Sequence, residues 1–374
     1  MSDEHILRLI ANSFSLKERV FEKYEILIHQ LENARSFWSE CYRVILKPKT
    51  NEIIEEIPNR VFIKIPKIST TNSTLDQDND EENEKLLKKM CEREYAFNRD
   101  FRHVQFNEFK IPKNFYVEDY EFDKGGIVFE DLSGITYTID YIPGFTEEQL
   151  LKLLNSLAGF HHTTLSMTDR IKWENYKNDL YDGDYMEMMF NDTSDIENLR
   201  PELFKGKINK VKWIFSRDSV ERSLKIDKAI GMPIVLVHND LNASNILWNV
   251  QSNEIEAIID FQHLAKGSIA TDLCRILTLG LSVENRRNNT EKYLKFYYDA
   301  LSKFRNAPFT FENLKTAYQM QFPLANATTL FGMYYYYKMY KEDTITINGE
   351  REMAAEEILR RALAIIEEIE NMEH

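Results

Sequence analysis

Residues 234–248 read IVLVHNDLNASNILW, and residues 255–260 read IEAIID. In each stretch a short apolar run, typical of a buried β-strand, ends in polar groups. Phosphoryl transfer needs an aspartate that accepts a hydroxyl proton, and an asparagine five residues later with a second aspartate to hold Mg²⁺. The alternative interpretation is two buried strands with polar ends. We therefore predict Asp240 as the catalytic base, and Asn245 and Asp260 as ligands of Mg²⁺.

Length and charge narrow the class of protein. The chain has 374 residues, 43% of them hydrophobic, and a formal net charge of −14. Length alone predicts two or three domains. The acidic balance argues against a nucleic-acid-binding surface, because phosphate contacts along a strand need clustered lysines and arginines. It does not argue against ATP, which needs only one or two local cations and Mg²⁺.

Neither a membrane span nor an export signal is apparent. The sequence contains no run of about 18 apolar residues. The first residues, Met-Ser-Asp-Glu-His, lack a basic segment followed by an apolar one. Cys41, Cys91 and Cys274 are odd in number and follow no metal-binding spacing, so we interpret them as reduced core residues. These features predict a cytoplasmic protein.

The longer stretch VLVHNDLNASNILWN…IEAIIDFQHLAKGSIATDLCRIL resembles the catalytic core of the aminoglycoside phosphotransferase and choline kinase superfamily. Within it the chain is most similar to the CHK kinase-like group, which includes ecdysteroid-kinase-like proteins and a large nematode set. That group usually reads His-Gly-Asp-Leu-Trp-x-x-Asn, whereas this chain has Asn239 for the glycine and Asn242 for the tryptophan. Asparagine tolerates left-handed backbone angles, so Asn239 need not distort the loop.

The resemblance implies an α+β, bilobal, protein-kinase-like fold. Residues 1–132 would form a small nucleotide-binding lobe with an antiparallel sheet and helices. Residues 133–374 would form a larger, mainly helical lobe that carries the catalytic and acceptor sites. ATP and Mg²⁺ are the implied cofactors, and a small-molecule hydroxyl is the implied acceptor. The acidic, polar stretch at 68–84 should be a disordered surface insertion.

The resemblance also implies which residues contact the nucleotide. Ser36 and Ser39 lie where the first β-hairpin should cover the phosphates, although an ordinary hairpin turn is the alternative. Lys64 sits in an alternating strand that ends at a proline, and would contact the phosphates while paired with a glutamate of the next helix. Alignment on the x-Asn-x-Glu-x-x-Phe-Tyr motif of the CHK kinase-like group favours Glu94 over Glu92 as that partner.

A glycine-bounded apolar strand ends in Glu130-Asp131-Leu132. This stretch resembles the hinge that holds adenine through backbone N–H and C=O groups. The side chains of Glu130 and Asp131 need not touch the nucleotide. A boundary between lobes therefore falls near residue 133, and ligand sites favour such clefts.

Helical periodicity predicts most of the remaining elements. We expect two helices within residues 4–32, one over 85–101, one that begins with a Thr146–Gln149 capping box, and a closing helix over 353–372. The resemblance implies that residues 165–230 help to form the acceptor pocket, and plain helical core is the alternative for any single residue of that stretch. The aromatic run 333–340 could line that pocket or pack between helices.

Two further residues near the catalytic loop call for an interpretation. His161 is expected to be a core histidine that bonds the catalytic loop, since no third histidine or cysteine accompanies the pair it forms with His162. Asp272, near the start of a helix, should tie down the same loop rather than bind metal.

Two other functions remain open. A catalytically silent, nucleotide-binding pseudokinase would explain the missing glycine turn and the departures beside Asp240. A protein kinase would need a long activation segment after Asp260, and this chain enters a helix almost at once. A kinase of small molecules is therefore the favoured interpretation.

Overall fold

The computed structural model describes residues 3–14, 23–31, 38–49, 57–67, 80–106, 108–180, 182–342 and 350–372. The Ser36 position and residues 68–79 of the predicted insertion lie outside these ranges. The chain divides into two compact units, of which the first comprises Met1–Gln105, Ile111–Tyr137 and Ile259–His263. The remainder forms the second unit. Within the described residues, no helix has the length and apolar character needed to cross a membrane.

The first unit is built on a five-stranded sheet. Its elements are α1 (Asp3–Ser13), β1 (Tyr24–Gln30), β2 (Ser39–Pro48), β3 (Arg60–Pro66), α2 (Asp80–Asp100), β4 (Asn114–Glu118), β5 (Gly126–Glu130) and β6 (Thr136–Tyr137). The strand order in the sheet is β1-β2-β3-β5-β4, and each neighbouring pair is antiparallel.

Side chains alternate between the two faces of every strand, so both faces of this sheet carry apolar residues. One helix packs on each face. Ile6, Leu9 and Ile10 of α1 join one core cluster with Val61 and Ile63 of β3. On the other face, α2 joins a second cluster, whose buried members are Leu87, Cys91, Tyr95, Tyr120, Ile127 and Phe129. Lys64 alternates with Ile63 and therefore points to the α2 face.

We predicted two helices within residues 4–32, and the prediction of the second is wrong. Residues 24–30 form β1, whose Leu27 lies opposite Ile45 of β2. Tyr24, Ile26 and Ile28 recur at every second position and pack on the core of the sheet. The same stretch also fits a helical period, and pairing with β2 decides between the two.

Helix α2 begins five residues before its predicted start. Residues 80–84, predicted as part of the surface insertion, are helical. Acidic side chains in the first turn of a helix interact favourably with its dipole, which accounts for a helix that starts inside the acidic stretch. The predicted lobe boundary after residue 132 stays a prediction.

The second unit is mainly helical. Its helices are α3 (Glu147–Ser166), α4 (Gly183–Ser194), α5 (Ile196–Leu199), α6 (Pro201–Phe204), α7 (Lys207–Lys210), α8 (Arg217–Ala229), α9 (Ile269–Gly280), α10 (Val283–Phe304), α11 (Phe311–Glu342) and α12 (Glu350–Glu370). Its strands are β7 (Ile234–Val237), β8 (Ile246–Asn249), β9 (Ile255–Ile258) and β10 (Ala265–Ser268). The antiparallel sheet of the first unit and this helical unit confirm the predicted α+β class.

Local sequence signals account for several of these boundaries. Thr146 Oγ1 accepts a hydrogen bond from the Gln149 N–H, and Gln149 Oε1 accepts one from the Thr146 N–H, which confirms the predicted capping box of α3. Strand β7 pairs with β10, and β8 pairs with β9. The Asp240 loop leaves β7, which is buried at three of its four positions, and leads into β8, which is buried at two of four.

Candidate active site

In the first unit, Lys64 contacts two of the predicted site residues, Glu94 and Asp260. Its Nζ lies 2.9 Å from Glu94 Oε1 and 2.9 Å from Asp260 Oδ1. The Lys64 and Glu94 side chains are 12% and 3% exposed, whereas that of Asp260 is 30% exposed. A buried ammonium is costly without a partner. Two carboxylates meet that need here, and one of them keeps an accessible face.

The charge state of Lys64 follows from these contacts. Burial by itself lowers the pKa of Lys64, but the carboxylates of Asp260 and Glu94 outweigh it and raise the pKa above its ordinary value. The lysine is therefore a fixed positive charge at any physiological pH. Such a charge suits contact with phosphate oxygens.

The packing of α2 positions the segment that carries Asp260. The Phe261 N–H donates to the Glu94 carboxylate, and the Phe261 ring stacks on Phe97 with centroids 3.9 Å apart. Asp260 itself has a φ of 69°. Left-handed backbone is uncommon for a residue other than glycine and clusters at functional sites.

Three other residues were considered for the nucleotide site, and the structure describes two of them, Glu92 and Ser39. Glu92, the competing partner for Lys64, is about half exposed and lies 3.6 Å from Lys88 instead. Ser39 begins β2, and its Oγ accepts a 3.4 Å hydrogen bond from Gln262 Nε2. Ser36 lies outside the described residues, so its role stays a prediction.

The side chains of the predicted hinge are occupied by the protein. Glu130 Oε1 accepts from the Lys113 N–H at 2.7 Å. The buried Asp131 carboxylate lies 3.1 Å from Arg43 Nε and 3.5 Å from Arg60 Nε. The carbonyl of Leu132 accepts from Thr136 Oγ1 at 3.0 Å. Contact of this stretch with adenine through its backbone groups stays a prediction.

In the second unit, the Asp240 carboxylate accepts hydrogen bonds from two asparagines of its own loop. Its Oδ2 accepts from Asn245 Nδ2 at 2.9 Å, and its Oδ1 accepts from Asn242 Nδ2 at 3.1 Å. Asn245 Nδ2 also donates to the Asp240 carbonyl at 2.9 Å. The Asn245 amide nitrogen is thus directed at Asp240, which leaves Asn245 Oδ1 as the atom that could bind a metal ion.

Asp272 shapes the loop that carries Asp240. Its two carboxylate oxygens accept from the backbone N–H groups of His238 and Asn239, each at 2.9 Å. Asn239 has a φ of 61°, so it adopts the left-handed conformation that the usual glycine would take. His161 lies against Asp272, with 3.6 Å between Nε2 and Oδ2, and does not bond the loop itself.

Arg275 was not predicted from the sequence. Its Nη2 lies 2.5 Å from Asp240 Oδ1, and its Nη1 donates to Thr328 Oγ1 at 2.9 Å. The Arg275 side chain is only 6% exposed. Asp272 and Arg275 are three residues apart on α9, a spacing that puts both on one face of a helix. Once Asp272 is assigned to the catalytic loop, this spacing indicates that Arg275 also lies near the loop.

Two tyrosines lie beside the Asp240 loop. Tyr141 bonds Ser244 Oγ at 2.9 Å, and its ring stacks on Tyr336 with centroids 3.9 Å apart. Burial, followed by the negative charge of Asp240, raises the pKa of Tyr336 to about 12. Tyr336 belongs to the aromatic run 333–340, and this member packs within the second unit.

The model of the DUF1679 family, described as "Uncharacterized oxidoreductase dhs-27", matches residues 44–374. The chain belongs to this family. A Caenorhabditis elegans protein described as "Uncharacterized kinase-like protein D1044.1" is 45% identical over 98% of this chain and 99% of its own length. The C. elegans protein that carries the oxidoreductase name is 25% identical over 71% of this chain, but the match spans only 34% of that longer protein.

Solved structures identify the fold. A choline kinase of Cryptosporidium parvum has a TM-score of 0.58 at 12% identity, with 99% of this chain and 98% of that chain covered. A Ralstonia eutropha protein assigned to the aminoglycoside phosphotransferases has a TM-score of 0.53 at 11% identity, with coverage of 100% and 99%. These likenesses confirm the predicted kinase-like fold.

Proposed function

We propose that this chain of the DUF1679 family is a kinase that transfers the γ-phosphoryl group of ATP to a hydroxyl of a small molecule. The observation that carries the proposal is the double ion pair of Lys64. Its two partners are separated from it by 30 and 196 positions in the sequence. The lysine, the glutamate and the aspartate have the chemistry with which kinases hold phosphates and metal.

The residues present fit a magnesium ion. Asn245 Oδ1 and the Asp260 carboxylate are hard oxygen donors, and Mg²⁺ prefers such ligands. The Asn245 amide is oriented by its two hydrogen bonds to Asp240. Mg-ATP, when bound, supplies the phosphoryl group and neutralises part of its charge. Lys64, charged and held by Glu94, would contact the phosphates that are not transferred.

Asp240 would orient the acceptor hydroxyl and take its proton. Oδ1 already accepts from Arg275 and Asn242, whereas Oδ2 accepts from Asn245. A carboxylate oxygen has about two lone-pair sites, so Oδ2 keeps one for the hydroxyl. Little covalent chemistry is asked of the protein, and placement of these groups should supply most of the rate enhancement.

Thermal unfolding with and without Mg-ATP tests the nucleotide site. We expect saturating Mg-ATP to stabilise the wild type, since a ligand at 100 times its dissociation constant contributes about 2.7 kcal/mol. That contribution corresponds to a rise in Tm of a few degrees. Asp260→Ala should abolish the Mg²⁺-dependent part of the shift, while Asp299→Ala, an exposed aspartate paired with Lys295, should retain it.

The same measurement separates the proposal from its alternative. No shift of the wild-type Tm at saturating Mg-ATP would contradict the nucleotide site. A Mg²⁺-dependent shift without ADP release for any hydroxyl compound would favour a silent, nucleotide-binding pseudokinase. Phosphorylation of a generic protein substrate would point instead to a protein kinase.

Arg275 should act as a positioning residue for Asp240. We expect Arg275→Met to lower kcat about tenfold or more, because Asp240 Oδ1 loses a charge-assisted hydrogen bond. The KM for ATP should stay within about twofold, and Arg275→Lys should restore part of kcat. Arg287→Met is the matched control: it removes an exposed arginine of α10 that pairs with Glu368, and it should leave kcat unchanged. Equal losses of kcat in the Met and Lys variants would contradict a role through charge.

A cytoplasmic location is a further part of the proposal. Cys41, Cys91 and Cys274 are all buried and none forms a disulfide. Burial raises the pKa of the Cys41 thiol to about 11, so it stays protonated. Reduced, unreactive thiols are usual in a reducing compartment.

A further inference from the structure

The loop before α3, residues 138–146, brings a buried tyrosine to the catalytic loop. Tyr141 lies in a turn of this loop, outside the helices and strands. Its hydroxyl bonds Ser244 Oγ at 2.9 Å and donates to Asn242 Oδ1 at 3.4 Å. Both partners belong to the segment that follows Asp240. The Tyr141 hydroxyl therefore holds this segment from a part of the chain that is distant in sequence.

Asn242 connects Tyr141 to Asp240. Asn242 Nδ2 donates to Asp240 Oδ1 at 3.1 Å. Asn242 Oδ1 accepts from the Ser244 N–H at 3.0 Å and from Ser244 Oγ at 2.6 Å, in addition to Tyr141. An amide has donors on its nitrogen and acceptors on its oxygen, so these donors hold the nitrogen toward Asp240. Only one side chain separates the Tyr141 hydroxyl from the carboxylate.

Tyr336 provides a second connection. Its ring stacks on that of Tyr141 with centroids 3.9 Å apart, and its hydroxyl is hydrogen-bonded to both Tyr141 and Arg275. Arg275 Nη2 in turn lies 2.5 Å from Asp240 Oδ1. The two connections therefore end at the same carboxylate oxygen, and the other oxygen remains for the acceptor hydroxyl.

Arg361 of α12 holds the loop that carries Tyr141. Its Nη1 donates to the carbonyls of Tyr141 and Leu279 at 3.2 and 2.5 Å, and its Nη2 donates to that of Pro143 at 2.9 Å. The Arg361 side chain is only 2% exposed, and its Nε pairs with Glu357 at 3.0 Å. A guanidinium presents five donors in a rigid fork. One residue can therefore fix three carbonyls at once.

Other contacts of this loop are made by its backbone. Gly144 has a φ of 90°, and a Cβ there would lie 2.3 Å from the Gly280 carbonyl oxygen at the end of α9. The Phe145 N–H donates to the same carbonyl at 2.9 Å, and the Ile142 N–H donates to the Tyr340 hydroxyl of α11 at 3.2 Å. These contacts fix the loop to its neighbours without using the Tyr141 hydroxyl.

From these contacts we propose that Tyr141 is a positioning residue for Asp240, and that Arg361 affects the reaction by holding Tyr141. This inference rests on the proposed kinase function, and it makes the C-terminal helix α12 one of the elements that set the rate. Both residues act through the carboxylate that receives the proton. Their contribution should therefore fall on kcat, and the KM for ATP should change little.

Tyr141→Phe removes the hydroxyl and keeps the stacked ring. We expect kcat for ADP release to fall about tenfold, because Asn242 and Asp240 lose part of their fixed orientation. The KM for ATP should stay within about twofold. Tyr293→Phe is the matched control, since Tyr293 is buried on α10 and donates to Asn285 Oδ1 at 3.0 Å. Equal losses of kcat in the two variants would contradict the positioning role.

Arg361→Lys tests the second part of the proposal. Lysine keeps the charge but has no rigid fork, so we expect kcat to fall about fivefold. In the Tyr141→Phe background the further loss should be less than about twofold, because residues that act through one another are not additive. Arg286→Lys is the control: Arg286 is buried and attaches α12 to α10 through Glu368 at 2.6 Å, and its variant should retain kcat. Equal losses for the two arginine variants, or full additivity of Arg361→Lys with Tyr141→Phe, would overturn the role of Arg361.

Amide hydrogen exchange gives a readout that needs no turnover. In Tyr141→Phe the Ser244 N–H, which donates to Asn242 Oδ1, should exchange about tenfold faster, and the change should be confined to residues 240–246. A general loss of stability would accelerate exchange in α10 as well. Unchanged exchange in residues 240–246 would overturn the positioning role.

The kinase function and the role of Tyr141 fail in different ways. Absence of the Mg-ATP stabilisation in the wild type would overturn the kinase function, and the effect of Tyr141 on its rate with it. Normal stabilisation and turnover in the wild type, with an unchanged kcat in Tyr141→Phe, would overturn only the role of Tyr141.

Discussion

Asp240→Asn is expected to lower acceptor-dependent ADP release by about 10³-fold, because a positioned general base contributes about 10²- to 10⁴-fold. The amide cannot take the proton of the attacking hydroxyl, although it has nearly the shape of the carboxylate. Arg275 and Asn245, which hold the two oxygens, would keep one acceptor between them. Turnover is measured as ADP release with a panel of small hydroxyl compounds.

Nucleotide binding provides the control for this variant. The contacts of Lys64 with Glu94 and Asp260 do not involve Asp240, so the Mg-ATP stabilisation should persist. The loss of the charged partner of Arg275 should reduce the free energy of unfolding by about 1–3 kcal/mol. Activity is therefore compared well below the Tm of the variant. Turnover within tenfold of the wild type would contradict the role assigned to Asp240.

Asp272→Ala is expected to have the largest effect on stability. The carboxylate is fully buried and accepts from two backbone N–H groups of the catalytic loop. Its removal would leave both donors buried without partners, which should reduce the free energy of unfolding by about 3–5 kcal/mol. Such a loss should lower the Tm by about 10 °C.

Two variants make this result specific. Asp272→Asn keeps one oxygen and should fall between the wild type and Asp272→Ala. Asp299→Ala removes an exposed aspartate on α10, and should change the stability by no more than about 0.5 kcal/mol. Chemical denaturation, followed by fluorescence and by circular dichroism, gives the free energies. A loss for Asp272→Ala no larger than that for Asp299→Ala would contradict the structural role.

Much of the fold class could be predicted from the sequence, but the start of the first sheet could not. Residues 24–30 contain apolar residues at both a helical and a strand period. Only the pairing of Leu27 with Ile45, and of the residues around them, makes the strand the lower-energy choice. Local periodicity cannot report a partner that lies elsewhere in the chain.

Some contacts of the candidate site could be predicted from the sequence, and others could not. A charged residue between apolar strand positions needs a counter-charge, which predicted a partner for Lys64. The family resemblance then favoured Glu94 over Glu92 as that partner. The arginines that hold the Asp131 carboxylate were not predicted, since Arg43 and Arg60 lie on β2 and β3. Nothing in their local sequence distinguishes them from other surface arginines.

The sequence by itself determined the chemical groups of this protein and their local order. Asp240 and Asp260 each follow a short apolar run, and Asn245 comes five residues after Asp240. Only the tertiary structure decided which distant side chains meet them. Arg275 binds Asp240 because α9 packs against β7. Spacing along the chain records which residues share a face of one element, but not the contacts between elements.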